Sequence, residues 1–418
     1  MAEIRFSEYL AQEWRPALGC TEPASIALAA ATAAHVVGGE PRRVELVVDP
    51  RMYKNCFAVG IPHSEHRSGI QWAAALGSLL PDPDVGLEIF RQITPEVLTA
   101  AGRMLEADRC TVEVDRTKEE LWVDCRVETD QGVGRAVIAH DHTRVILTER
   151  DGAAVLGTAD AGDGRPDGGL REVLARAPLT ELIALSNQLD DSDRQLLRRG
   201  IEHNLAIARH GLRMFPERFH RRAGETQSHI SHLVCGGVYA RMSGEDFVVM
   251  SLAGSGNKGI VCSVPLALWG ELLGLDRESV DHALALACLV TSATTWHLGA
   301  LSAVCGCSNA AGIGLAAGLV VLEGGGAPEV SLAITNMVGN VAGMICDGAK
   351  IGCGLKVMTA VDAAYRAASL ALSGVGIPAS DGIVGGTGTE SLLNLGRIAT
   401  RGMTSTDAEI LDIMRAKL

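Results

Sequence analysis

The stretch Ala310–Leu322, AAGIGLAAGLVVL, decides the fold that we expect for the C-terminal part of this chain. A segment that is apolar and small on every side is typical of a helix buried all round. Similar Ala-rich stretches occur at Asp281–Thr291, Ser331–Met344 and Leu355–Leu372, with Gly-rich breaks between them. Small side chains let neighbouring helices approach closely. The sequence therefore predicts tightly packed helices from Leu170 onward.

The N-terminal part mixes helical and strand patterns. Helices are predicted at Ala24–Val37, with Thr21 as N-cap, at Ile70–Leu80 and at Glu88–Leu105. Strands are predicted at Arg43–Val48 and then, as an antiparallel meander, at Cys110–Asp115, Leu121–Glu128, Gly134–His140 and Val145–Glu149. Asp151–Gly169 is polar and rich in Gly and Asp, which indicates a linker or an exposed loop. We predict an α+β fold: a small mixed domain, residues 1–160, and a predominantly helical domain, residues 161–418.

Composition and charge exclude several classes of function. The net charge of −13 argues against nucleic acid or an anionic membrane as partner. No apolar run approaches the ~20 residues of a bilayer span, and the N-terminal residues lack the apolar core of a signal peptide. We therefore expect a cytoplasmic protein, in which the 11 cysteines stay reduced. A chain this rich in small apolar residues is also a candidate homo-oligomer.

The segment Gly254-Ser-Gly-Asn-Lys-Gly259 matches the G-x-G-x-x-G pattern and follows a predicted strand, Phe247–Ala253. A dinucleotide site would need a second parallel strand after the helix, and the residues that follow have helical patterns instead. Backbone N–H groups at such a turn can equally bind a carboxylate. We therefore expect either an anion site, with Ser255, Gly256, Asn257 and Lys258 near the substrate, or a turn without a ligand.

Lysine is rare here, since Arg supplies most of the 37 basic residues. Lys54, Lys258, Lys350 and Lys356 all lie in or beside turns that contain Gly or Asn. A pyridoxal phosphate enzyme would use one lysine for a Schiff base, but no surrounding pattern supports that reading. These lysines are more simply read as parts of a polar site.

The cysteines concentrate in the C-terminal half, at Cys305-Gly-Cys307 and at Cys346 to Cys353. No C-x-x-C pair exists, which argues against zinc ribbons and thioredoxin chemistry. Cys307 and Cys353 are predicted at helix N-termini, where thiol pKa values fall and metals are bound readily. Three such thiols could hold an iron–sulfur cluster with one open iron; the alternative is that they are core residues.

The histidines offer one candidate. His140 and His142 end a predicted strand and are expected to be exposed, and His203, His210, His220, His229 and His232 lack the spacing of paired ligands. His297, eight residues before Cys305, remains as a possible acid–base group.

Several motifs together resemble a known family. These are Gly19-Cys-Thr-Glu-Pro-Ala24, Tyr53-Lys-Asn55, Leu301-Ser-Ala-Val-Cys-Gly-Cys307 and Ile345-Cys-Asp-Gly-Ala-Lys350. In this order they resemble the L-cysteine desulfidase family, which is related to the α chain of iron–sulfur L-serine dehydratases. The resemblance runs over nearly the whole chain. One departure is His63-Ser-Glu-His-Arg-Ser68, where relatives tend to carry a glycine-rich stretch.

The resemblance implies a site and a reaction. It implies a [4Fe–4S] cluster on Cys307, Cys346 and Cys353, with Cys305 as a competing ligand, and Cys20 near the substrate. Glu22, Lys54 and Asn55 lie in the matching motifs and are expected to bind the substrate, with Cys20 or His297 as the base. The expected reaction converts L-cysteine to pyruvate, ammonia and hydrogen sulfide. The alternatives are an L-serine dehydratase with the same cluster, and a non-catalytic protein that binds a small anion and has structural cysteines.

Overall fold

The N-terminal half is built on a six-stranded sheet. In the computed structural model, which describes residues 4–118, 120–157, 169–221, 226–299 and 302–417, the strand order is β3-β2-β4-β5-β6-β7. The strands are β2 (Pro41–Val48), β3 (Cys110–Val114), β4 (Trp122–Thr129), β5 (Gly132–Ala139), β6 (Val145–Arg150) and β7 (Ala153–Gly157). Only the β2–β3 pair is parallel, and β4 to β7 form an antiparallel meander.

Helices cover one face of this sheet. The N-terminal helices are α1 (Phe6–Glu13), α2 (Thr21–Val37), α3 (Pro50–Cys56), α4 (Ile70–Leu79), a 3-10 helix (Pro83–Gln92) and α5 (Pro95–Glu106). The Ala-rich α2 packs on β4 and β5 and against α4, and its apolar residues join those of β2 and β4 in one buried cluster. On the other face Arg135 forms ion pairs with Asp124 and Glu149, as expected of a polar surface. The sheet is therefore hydrophobic on one side only.

The C-terminal half is helical. Its helices are α6 (Leu170–Arg176), α7 (Leu179–Ser186), α8 (Asp191–Arg213), α9 (Glu217–Arg221), α10 (Thr226–Ser243), α11 (Gly256–Leu272), α12 (Arg277–Leu298), α13 (Ala310–Leu322), α14 (Ala327–Val341), α15 (Cys353–Leu372), α16 (Gly388–Arg397), a π-helical turn (Ile398–Gly402) and α17 (Thr404–Arg415). None of the described helices is long and apolar enough to cross a membrane.

A strand pair and two exchanged helices join the halves. Strand β1 (Trp14–Leu18) pairs antiparallel with β8 (Val248–Leu252), which precedes α11. The apolar side chains of α1 pack among the C-terminal helices, whereas Leu411 of α17 packs in the N-terminal cluster. Each half thus contributes an element to the core of the other.

Close helix contacts come from small residues, as the composition predicts. A Cβ atom on Gly314 of α13 would lie 2.5 Å from the Ala287 carbonyl oxygen and 2.1 Å from Thr291 Oγ1, both on α12. A Cβ on Gly211 of α8 would lie 1.9 Å from the carbonyl oxygen of Gly236 on α10. These helices touch backbone to backbone, which larger residues would prevent.

Most predicted elements are confirmed, and the differences have physical reasons. The α+β class, the four long C-terminal helices and the lack of a parallel partner for β8 agree with the sequence analysis. The helix predicted over Glu88–Leu105 is wrong, because Pro95 begins a new helix capped by Thr94. Cys110–Val114 does not pair within the meander but lies beside β2.

The predicted linker is wrong in part. Residues Ala153–Gly157 form the edge strand β7, and the remainder of that prediction, residues 158–168, lies outside the described residues together with the proposed domain boundary at 160. The N-cap of α2 is Cys20 rather than Thr21.

The packing of α13 gives a testable prediction. We expect Gly314→Ala to lower the free energy of unfolding, because about 1–3 kcal/mol of overpacking against α12 outweighs the ~1 kcal/mol that Ala gains over Gly within a helix. Gly343→Ala is the control, since a Cβ there would have no neighbour within 4 Å. Urea unfolding measures both, and a Gly314→Ala chain at least as stable as the unsubstituted one would contradict the packing described.

Candidate active site

One cavity gathers residues from both halves of the molecule. The predicted site residues that line it are Cys20, Glu22, Asn55, Ser255, Asn257, Lys258, Cys307, Cys346 and Cys353. Cys305, His142 and Arg241 also line it, although the sequence analysis did not place the last two there. Three predicted residues, Lys54, Gly256 and His297, lie outside its lining.

The thiols come from two paired segments and a helix start. The backbone N–H of Cys305 donates to the Met344 carbonyl (2.9 Å), and that of Cys346 donates to Ala303 (2.7 Å). This short antiparallel contact places Cys305 and Cys346 on adjacent backbone segments. Cys353 is the first residue of α15, as predicted. Cys346 lies outside the helices, between the end of α14 at Val341 and the start of α15.

Cys305 and Cys307 have different surroundings. A hydrogen bond with the Cys307 thiol, supported by Ser308, lowers the pKa of Cys305 to about 6 in spite of its burial. Burial raises the pKa of both Cys346 and Cys353, and negative charge on Cys305 adds to that rise. Cys307 also contacts the start of α11, with its Sγ 3.7 Å from Ser255 Oγ, and Cys305, burial and Cys353 raise its pKa. Both Cys305 and Cys307 therefore neighbour Cys353, and only the backbone of Cys305 pairs with the Cys346 segment.

Three lysines hold the loop that carries Cys346 and Cys353. Lys54, 2% exposed, donates to the Cys346 carbonyl (2.8 Å) and to Asp407 Oδ1 of α17 (2.6 Å). Lys350 and Lys356 both pair with Asp347. Three of the four lysines singled out in the sequence thus converge on this loop. Lys54 does not line the cavity; it supports the site by holding the backbone of Cys346.

Glu22 anchors a network at the opposite wall. Its Oε2 accepts hydrogen bonds from Cys20 Sγ (2.8 Å) and Thr21 Oγ1 (3.1 Å), and its Oε1 accepts from Asn55 Nδ2 (3.2 Å). Burial opposes its charge, but His142 and the hydrogen bond from Cys20 outweigh burial and lower the pKa of Glu22. Burial and the Glu22 charge raise the pKa of Cys20 well above its usual value. Cys20 is therefore a protonated thiol.

His142 is buried, so the prediction that it is exposed is wrong. Its side chain is 7% exposed, and its Nε2 has no hydrogen-bond partner among the described residues. Burial lowers its pKa, against the charge of Glu22. Its position at the end of a strand suggested exposure to solvent, but the imidazole lies against Gly254: a Cβ there would be 3.3 Å from His142 Nδ1. His142 is thus a neutral imidazole at the cavity.

His297 is turned away from the cavity. It lies in the last turn of α12, where α16 packs on it: a Cβ on Gly396 would lie 2.9 Å from the His297 Cβ. Burial lowers its pKa, against a hydrogen bond with the Ala175 backbone. The number of residues between His297 and Cys305 does not determine which way the His297 side chain points. In the structure, His297 does not reach the other predicted site residues.

The start of α11 borders the cavity as predicted for an anion site. Ser255 is its N-cap, and no side chain caps the helix. Lys258 Nζ donates to the Ala253 carbonyl (3.1 Å) and to Thr295 Oγ1 (3.0 Å), and burial lowers its pKa to about 8. Its ammonium already has two acceptors and is therefore only partly available to a ligand.

The donor set suits an iron–sulfur cluster better than a single ion. Among the described residues, no three His, Cys, Asp or Glu side chains already stand close enough together to hold one metal ion. A cluster separates its thiolate ligands more widely, because each thiolate bonds a different iron. Cys305, Cys307, Cys346 and Cys353 all line one cavity, so three of these four thiols are available to a cluster.

Comparison with known proteins agrees with this reading at the level of the family. A family model described as serine dehydratase alpha chain matches residues 84–412. A UPF0597 protein of Desulfotalea psychrophila is 36% identical over 420 residues, with 96% of each chain covered. UPF0597 proteins of Caldanaerobacter subterraneus subsp. tengcongensis and Geobacter sulfurreducens are each 35% identical, with 96% of each chain covered for the first and 99% of this chain and 98% of the relative for the second.

The matched region contains the cavity cysteines of the C-terminal half together with His142, Arg241 and the start of α11. It supports the broader relation that the motifs suggested, and the narrower assignment to L-cysteine desulfidases stays a prediction. The chain belongs to the serine dehydratase α-chain family, which is associated with lyase-type enzymes.

Proposed function

We propose that this protein is an iron–sulfur-dependent lyase that removes the β-substituent of a small L-amino acid. L-cysteine is the proposed substrate, and L-serine is the alternative that the family match favours. The observation that carries the proposal is the convergence of three thiols, the Cys20–Glu22 pair and a neutral histidine on one cavity. With cysteine the products are pyruvate, ammonium and hydrogen sulfide, after addition of one water.

Cys305, Cys346 and Cys353 are the proposed cluster ligands. This replaces Cys307, because Cys305 is the thiol whose backbone pairs with the Cys346 segment. When bound, a cluster with three protein ligands supplies an open, Lewis-acidic iron that stabilises a thiol or hydroxyl leaving group. The lysines behind the loop place positive charge next to thiolates that would otherwise be costly to bury.

His142 is the proposed base. Elimination requires removal of a weakly acidic proton from Cα, and a neutral imidazole without a hydrogen-bond partner on Nε2 can accept it. The charged carboxylate of Glu22 offers a partner for the substrate ammonium. The Cys20 thiol, held protonated by Glu22, is a proton donor beside the departing group. Loss of the α-proton and the β-substituent leaves an aminoacrylate, which tautomerises to an imine that water hydrolyses to pyruvate and ammonium.

The ligand assignment predicts a specific pattern of iron binding. After anaerobic reconstitution we expect roughly four irons and four sulfides per chain in the unsubstituted protein. Cys305→Ser, Cys346→Ser and Cys353→Ser should each lose most of that iron, whereas Cys307→Ser should keep it. Cys125→Ser, in the core of the sheet, is the control for a buried thiol outside the site. Loss of iron in Cys307→Ser but not in Cys305→Ser would reverse the assignment.

The role of His142 predicts a pH profile. Its lowered pKa leaves the imidazole neutral at pH 7, so base catalysis is lost only as the pH falls through a value below 6.5. We expect His142→Gln to lower kcat by about 10²- to 10⁴-fold and to remove that acid limb from the kcat/KM profile. His297→Gln, the matched control, should keep both, because His297 lies outside the cavity. The opposite pattern would assign the base to His297.

Substrate choice separates the remaining possibilities. We expect the reconstituted protein to release pyruvate from L-cysteine with a higher kcat/KM than from L-serine. A reversed ratio would make it a serine dehydratase. Binding of amino acids without pyruvate release, in protein that carries its iron, would support the non-catalytic anion-binding alternative.

A further inference from the structure

Arg241 carries a buried positive charge without an ion-pair partner. This residue of α10 is 1% exposed, and its Nη1 donates to Asn257 Oδ1 (2.9 Å). Its Nε and Nη2 are buried and have no hydrogen-bond partner among the described residues. No carboxylate within the described residues forms a salt bridge with it, and its side chain lines the cavity. Two guanidinium nitrogens of a cavity-lining residue are therefore without a hydrogen-bond partner among the described residues.

An anion is the expected occupant. A guanidinium keeps its charge in proteins, and a buried charge is costly unless it is paired and hydrogen-bonded. Glu22 is the nearby acid whose charge Arg241 influences, but its oxygens already accept from Cys20, Thr21 and Asn55. Among the described residues, Arg241 thus has negative charge nearby but no carboxylate that accepts a hydrogen bond from its guanidinium.

The start of α11 faces the same place. A Cβ on Gly256, the first residue of α11, would lie 2.5 Å from Arg241 Nε, so only glycine lets the guanidinium lie against this helix end. Asn257, next in the helix, holds Nη1 from the same side. The first N–H groups of a helix point out of its N-terminus and favour a negative group. A fork of two N–H donors and a helix N-terminus together match a carboxylate.

We propose that Arg241, together with the N-terminus of α11, binds the α-carboxylate of the substrate. The proposal rests on the proposed function, since it names how that site recognises an amino acid. It moves the carboxylate from Lys258, whose ammonium already has two acceptors, to Arg241. It also restricts the substrate class: a free α-carboxylate is required, and esters or amides of the same amino acid should bind poorly.

Binding without turnover tests this directly. L-alanine has no leaving group, so calorimetric titration of the anaerobically reconstituted full chain with L-alanine and with L-alanine methyl ester measures recognition alone. We expect the unsubstituted protein to prefer the acid by about 10- to 100-fold, which is the range for hydrogen bonds to charged groups. Arg241→Met should bring that preference close to one, and Arg241→Lys should keep only part of it, because lysine lacks the planar fork.

Kinetics and controls complete the test. With the better of L-cysteine and L-serine, Arg241→Lys should raise KM more than it lowers kcat, and the ratio of kcat/KM for the acid over its methyl ester should fall. Arg103→Met, an exposed position on α5, should leave both ratios unchanged. If Arg241→Met does not fold, as judged by circular dichroism, Arg241→Lys carries the comparison alone.

The failures are distinguishable. An acid-to-ester preference that is unchanged in the Arg241 variants would overturn the inference even if pyruvate is released, and the lyase proposal would stand. An Arg241-dependent preference in protein that releases no pyruvate would support the inference as carboxylate binding and would overturn the lyase proposal. Absence of any preference in the unsubstituted protein would also overturn the inference.

Discussion

Backbone contact at residues without side chains is the constraint on which both the helical core and the cavity depend. The helix pairs α12–α13 and α8–α10 approach at Gly314 and Gly211, where any larger residue would meet a carbonyl oxygen. The same device recurs at the site: a Cβ on Gly348, between the two cysteines of the loop, would lie 2.3 Å from the carbonyl oxygen of Lys54. The loop is therefore pressed onto α3, whose Lys54 holds the Cys346 carbonyl. Close backbone contact at glycine thus shapes both the helical core and the site.

Sequence patterns predicted what depends on local periodicity. The helices rich in alanine, the turn before α11 and the start of α15 at Cys353 follow from short-range signals. The pairing of β3 with β2 does not follow from such signals, because long-range packing determines which strands pair. The motifs also grouped most of the cavity residues, but the fine choice between Cys305 and Cys307, two residues apart, depends on which one pairs with the Cys346 segment. His142 was predicted to be exposed and Arg241 was not singled out, because charge and position in sequence do not reveal what covers a side chain.

The cavity is completed only when both halves of the chain are in place. The N-terminal half supplies Glu22, Asn55 and His142, and the helical half supplies the thiols and the start of α11. Strand β1, paired with β8, brings Cys20 and Glu22 directly to that helix, with Thr21 Oγ1 donating to the Gly254 carbonyl (3.0 Å). This two-sided construction gives the site opposite charges on its two walls, an acid near α2 and cations near α11. A zwitterion suits such a pair of walls.

The contact between Gly256 and Arg241 also limits how this protein can diverge. The two positions lie on different helices, yet a side chain at 256 would occupy the place of the guanidinium. A lineage that gained a larger residue at 256 would have to lose the arginine in the same evolutionary step, and with it the counter-charge for an acidic group. In an alignment of relatives, positions 241 and 256 should therefore vary together, with glycine at 256 wherever arginine is present at 241.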